Sequence, residues 1–172
     1  MNPIFRNVWR FLLLLLLQVL VFKQLNIAGG ALNYVQVLIY PLFILLLPLD
    51  LGKSWLLLLG FLLGIAVDMF YDSPGVHASA SVLTAFIRPY VLHILEPRGG
   101  YKVNAYPTSA EFGTGWFVRY ASLLMIVHLL TYFIAEAFQW SQILMIILKT
   151  IVSFLSSMIV ISLYMVIFNP KE

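Results

Sequence analysis

Apolar residues fill this chain in long blocks, and short polar stretches punctuate them. Taken in order, the blocks predict six helices: Phe11 to Phe22, Tyr34 to Leu49, Trp55 to Tyr71, Ala78 to about Leu95, Trp116 to Phe138 and Ser141 to Phe168. A helix rises about 1.5 Å per residue, and a bilayer core takes about 20 apolar residues to cross. The first three blocks are on the short side, and flanking Arg, Lys and Tyr side chains extend them by reaching toward the interface. The sixth is long enough to tilt or to run past the bilayer. Pro41 is expected to kink the second helix, and Trp55 falls where tryptophan prefers to sit, at an interface. Glu96 to Gly115 is too polar to span and reads as a loop between the fourth and fifth helices.

Within this pattern Gly60 to Tyr90 stands out as a helical hairpin. Asp72-Ser73-Pro74-Gly75 makes its turn: Pro74 presets φ near −65°, and Gly75 can take the positive φ of a type II turn. His77 or Ala78 starts the second arm. Gly60, Gly64 and Asp68 recur every four positions on the first arm, and Ala78, Ser81, Ala85 and Arg88 recur every three or four on the second. Such spacing places each set on one helix face. Small faces let backbones approach closely, which is how helices associate in lipid, so Gly64 is expected to pack near Ala85. Ser153 and Ser157 on the sixth helix form another small face that expects a close helix neighbour.

Composition turns this pattern into a membrane protein. Of 172 residues, 62% are hydrophobic and 10% charged, whereas a soluble domain is about 45–50% apolar and about 25% charged. The chain reads as a single all-α domain over 1–172, with six transmembrane helices and no extramembrane domain. Arg6, Arg10, Lys53, Arg98, Lys102, Arg119 and Lys171 fall at one set of helix ends, and Lys23 alone at the other. By the positive-inside rule both termini and the 96–115 loop are cytoplasmic. The basic residues are too thinly spread for nucleic acid. The basic head and the Leu run resemble a signal peptide, but no small-residue cleavage site follows, so a retained first helix is expected.

Candidate chemistry adds little. There is no cysteine. Ser79, Ser81, His93 and His128 have no nucleophile motif around them, and Asp68, Asp72 and His77 do not match a recognised ligand spacing. No catalytic, cofactor or metal site is expected. His128 reads as a neutral histidine bonded to a neighbouring helix. Asp68, Arg88 and Lys149 are the costly residues, since a charge deep in a membrane helix costs about 2.5–3.5 kcal/mol and usually faces a partner or cavity. Asp68 is expected to pair with Lys149 or Arg88 or to meet another chain. Depth along the helices matches Lys149 slightly better, and Arg88 has a second option in the carbonyl that Pro89 leaves free at Ala85.

Gly64-Ile65-Ala66-Val67-Asp68 followed by Asp72-Ser73-Pro74-Gly75-Val76-His77-Ala78 resembles the rod shape-determining MreD family, as do Arg88-Pro89 and Pro97-Arg98-Gly99-Gly100-Tyr101. The specific motif is confined to Gly60–Tyr101. The resemblance implies a bacterial inner-membrane scaffold of the cell-elongation machinery without enzymatic activity. Its partners would be an MreC-like protein, a RodA-like glycosyltransferase, a class B penicillin-binding protein and, directly or indirectly, an MreB-like filament. The family is also similar in fold to the S components of energy-coupling vitamin transporters, which implies an alternative role in small-molecule binding. Those components dock through an Ala-x-x-x-Ala face on the first helix, and the Leu-rich first helix here has no such pair.

Overall fold

The computed structural model describes residues 3–24, 35–102 and 105–168, and among them the fold is helical with no strand. Helix α1 is Pro3–Leu17, and it runs on into a π-helical stretch, Gln18–Phe22. A short α2 is Leu42–Leu45. Helices α3 (Lys53–Tyr71) and α4 (Val76–Ile94) form the hairpin. One helical turn, α5 (Ser109–Phe112), precedes α6 (Thr114–Ala137), and α7 (Ile143–Phe168) follows a 3-10 turn at Trp140–Gln142. Among the described residues, four stretches are long and apolar enough to cross a membrane: Phe5–Phe22, Lys53–Tyr71, Thr114–Ala137 and Ile143–Phe168. Helix α4 is not among them, because Arg88, His77, His93, Ser79, Ser81 and Thr84 dilute its apolar character.

The helix expected over 34–49 does not form. Residue 34 lies outside the described residues, 35–39 are not helical, and only Leu42–Leu45 makes a helix. Pro41 has no N–H and biases Tyr40 away from helical angles. Val35, Val37 and Ile39 are β-branched and stiff, which favours an extended backbone. Every residue from 38 to 47 is nonetheless buried. A largely unwound segment, 35–48, interrupted only by the single turn of α2, thus threads the bundle.

Helix α4 is the central post, packed against α3 on one side and α6 on another, with α7 laid against α6. The hairpin closes through its small residues, in a register about two turns away from the expected Gly64–Ala85 contact. Gly60 faces Ala85 and Ser81, so that a Cβ there would lie 3.1 Å from the Ala85 Cβ. Gly64 faces Ala78, not Ala85: a Cβ on it would sit 2.3 Å from the Ala78 Cα. Only glycine allows that backbone approach. The outer surface carries large apolar residues such as Met69, Phe86, Leu144 and Val166, a surface suited to lipid.

The start of α1 and the chain around Leu49 meet the loop before α6 at one end of the bundle. There the Arg6 guanidinium carbon lies 4.6 Å from the centre of the Tyr106 ring, and the Leu49 N–H donates to the Ala105 carbonyl at 3.1 Å. Tyr101 and Trp116 tie the loop down by donating to the carbonyls of Leu92 and Leu95, at 2.7 and 2.8 Å. Partial burial, with Glu96 nearby, pushes the Tyr101 hydroxyl up to about 12.

Candidate functional site

A seam of polar side chains runs through this apolar bundle, and the unwound segment 35–48 lies along it. At the hairpin end, Asp68 is buried and accepts five hydrogen bonds. Three come from the backbone N–H groups of Gly75, His77 and Ala78, at 3.0, 2.9 and 3.0 Å. The others come from the Ser73 hydroxyl at 3.1 Å and His77 Nδ1 at 2.9 Å. A carboxylate only accepts, so Nδ1 carries the proton. The first N–H groups of a helix have no partner within it, and they carry the positive end of its dipole. Asp68, from the preceding helix, caps α4 in the place that the N-cap Gly75 cannot fill, having no side chain. The turn between them holds Asp72 at φ 51° and Gly75 at φ 88°. Asp72 itself is exposed.

Neither expected partner of Asp68 is the one it takes. Arg88, 1% exposed, spends its guanidinium on the unwound segment. It donates to the carbonyl of Leu47, to that of Pro48 at 3.3–3.4 Å, and through Nε to the Tyr120 hydroxyl at 2.8 Å. Tyr120 in turn donates to the Leu45 carbonyl at 2.9 Å. These carbonyls follow or end the short α2, where no helix continues to satisfy them. Lys149 pairs with Glu136 at 3.3 Å across the α6–α7 turn, at a partly exposed position. Tyr132 donates to the same carboxylate at 3.2 Å.

The far end of the segment is held by the same device in neutral form. Ser153 and Ser157, expected to receive a helix, instead accept from the N–H groups of Gln36 and Leu38 at 2.8 and 2.9 Å. Gln18, fully buried in the π-helical stretch, accepts from the Ile39 N–H at 2.8 Å and donates to the Val37 carbonyl at 3.1 Å. Its amide also donates to the Tyr71 hydroxyl at 2.8 Å, linking α1 to α3. Backbone polar groups buried in an apolar medium must find partners, and here they are side chains of α1, α4, α6 and α7. Gln18, Tyr40, Tyr71, Thr84, Tyr120, Tyr132 and Glu136 are site residues that sequence spacing does not single out. Opposite charges facing each other across a helical turn are the one available signal for Glu136.

Between the two ends lie Tyr40, His128 and Thr84. The single Thr84 hydroxyl proton goes to the Ala80 carbonyl at 2.7 Å. Thr84 therefore accepts from His128 Nδ1 at 2.9 Å, and Nε2 takes the Tyr40 proton at 2.7 Å. The ring is fixed as the Nδ1–H tautomer, bonded to α4 and to the unwound segment. The His77 ring is wedged among Tyr71, Tyr132 and Tyr40, with centroids at 4.8, 4.9 and 5.6 Å. Ser79 and His93 play no part in the seam: Ser79 donates to the Val76 carbonyl, and exposed His93 lies 3.6 Å from Glu96.

No protein-family model, curated protein or solved structure matches this chain.

Proposed function

We propose that this protein is a non-enzymatic scaffold or regulator of bacterial cell elongation, of the MreD kind, crossing the inner membrane six times with both termini inside. The carrying observation is the hairpin. The residues of the MreD-like motif are the ones that build it: Asp68 caps α4, Gly75 turns the chain, and Gly64 admits Ala78 to backbone contact. The other two crossings are α4 and the unwound segment 35–48. Asp68, Arg88 and Lys149 all bind groups of their own chain, which suits a rigid body presenting apolar helix faces to an MreC-like and a RodA-like partner. Depleting the protein should turn rods into spheres, and a tagged copy should bring down those partners together with the penicillin-binding protein. Unchanged rods, with none of these proteins captured, would overturn the reading. Cysteine labelling tests the topology: residue 102 should react only from the cytoplasm and residue 73 only from outside.

A second reading rests on the unwound segment. Broken helices at membrane depth often line binding sites in transporters. A vitamin-binding subunit similar to an S component would place its ligand beside residues 35–41. Native mass spectrometry of the purified protein separates the two readings, since only the second predicts a bound vitamin.

A further inference from the structure

His77 and Ser81 stand one turn apart on the buried face of α4, and both are fully buried. His77 Nδ1 is committed to Asp68, but among the described residues neither His77 Nε2 nor Ser81 Oγ has a hydrogen-bond partner. This is unusual for buried polar atoms, which are nearly always paired. Thr84, Thr131, Thr150 and Ser156 settle their hydroxyls on the carbonyl one turn back, and Ser81 does not. Its hydroxyl instead interacts with that of Tyr40, without reaching full hydrogen-bond geometry. The Tyr40 proton is spent on His128, which leaves an oxygen lone pair on the same side.

We infer that His77 Nε2, Ser81 Oγ and the Tyr40 hydroxyl frame an internal site for one ordered water molecule. The Tyr40 ring lies beside the His77 ring, with centroids 5.6 Å apart, and Ser81 adjoins the Tyr40 hydroxyl, so the three polar groups meet in one place. The chemistry balances. Ser81 donates, Tyr40 accepts, and His77 Nε2 either accepts or donates according to its proton; water does both. Three partners are typical of a buried water. The molecule would join the Asp68–His77 cluster to the Tyr40–His128–Thr84 chain, giving one continuous network from Ser73 at the turn to the Ala80 carbonyl inside the bundle.

An experimental structure in lipid, at a resolution that shows ordered water, tests this directly. The expected feature lies within hydrogen-bond distance of both His77 Nε2 and Ser81 Oγ. An empty site there overturns the proposal, and so does a feature larger than water, which would favour a small-molecule ligand. Thermal unfolding gives an independent sign. Ser81→Ala should lower Tm by about 3 °C or more if it breaks a water-mediated bond. In a dry site the same change deletes an unpaired hydroxyl, and an unchanged or raised Tm would contradict the proposal. His77→Asn keeps a donor toward Asp68 and loses the Nε2 position. Combined with Ser81→Ala, it should lower Tm by less than the sum of the two, because either change releases the same water; a full sum argues against it.

Discussion

The hairpin and the unwound segment solve one problem in opposite ways. Both pass through an apolar bundle, where no water can satisfy the backbone. In α3 and α4 the backbone satisfies itself, and small residues let two finished helices touch at Gly64 and Ala78. In 35–48 the backbone is incomplete, and Gln18, Ser153, Ser157, Arg88 and Tyr120 complete it from four other helices. Close packing needs only side-chain absence at the right spacing. Side-chain completion needs particular donors and acceptors placed from distant parts of the chain. The hairpin is therefore a local unit, whereas the segment depends on the whole bundle.

This contrast can be broken first at Arg88. Arg88→Met strips the carbonyls of Leu47 and Pro48 and the Tyr120 hydroxyl of their donor; at about 1–3 kcal/mol per orphaned group the loss is on the order of 4 kcal/mol. Most of the folded protein should disappear in detergent, as read by fluorescence-detected gel filtration. Asp68→Asn comes next, at about 3 kcal/mol, because an NH2 group must then face backbone N–H groups whichever way the amide turns. Lys149→Met should not restore it, since Lys149 belongs to Glu136; the two losses should simply add in thermal melts, and rescue would show that the charges communicate.

Gly64→Ala tests the hairpin's own principle. Its Cβ would sit 2.3 Å from the Ala78 Cα, so overpacking should cost about 2–3 kcal/mol. Gly60→Ala meets the Ala85 Cβ at 3.1 Å and should cost clearly less in the same melt. Ser157→Ala, which orphans the Leu38 N–H, should cost about 1–2 kcal/mol. Smallest is an alkaline effect at the loop. Tyr101 is raised to about 12 in the fold, against about 10 unfolded. Its contribution is intact below pH about 10 and is lost as pH rises toward about 12. Tyr101→Phe should remove that component of the pH–stability curve.

Much of the hairpin was legible because its signals are local. A glycine every four residues, a Pro-Gly turn and an apolar block each report on their own neighbourhood. The turn geometry at Gly75 and the near-full length of α3, α4, α6 and α7 follow from them. The Gly64 register slipped by about two turns, from Ala85 to Ala78, because two small stripes align equally well in more than one way. The run from Tyr34 to Leu49 reads as a helix because a buried apolar run has no periodicity to betray it. Its alternate β-branched residues ahead of Tyr40-Pro41 were the available warning. The site was harder still. Ser153 and Ser157 have the spacing of a helix contact but serve an extended chain, and Gln18 looks like an incidental polar residue in a Leu run. Which backbone group a side chain completes is a long-range fact, absent from any window of sequence.

Residues 35–40 are non-helical, enter the buried interior at Leu38, and are held there by side chains. Carbon chemical shifts of these residues in lipid-embedded, isotope-labelled protein test this most directly. Non-helical shifts for Val37, Leu38 and Ile39, with a protected Leu38 amide that exchanges faster in Ser157→Ala, are the predicted result. Helical shifts across 35–40, or a Leu38 amide indifferent to Ser157, would contradict it.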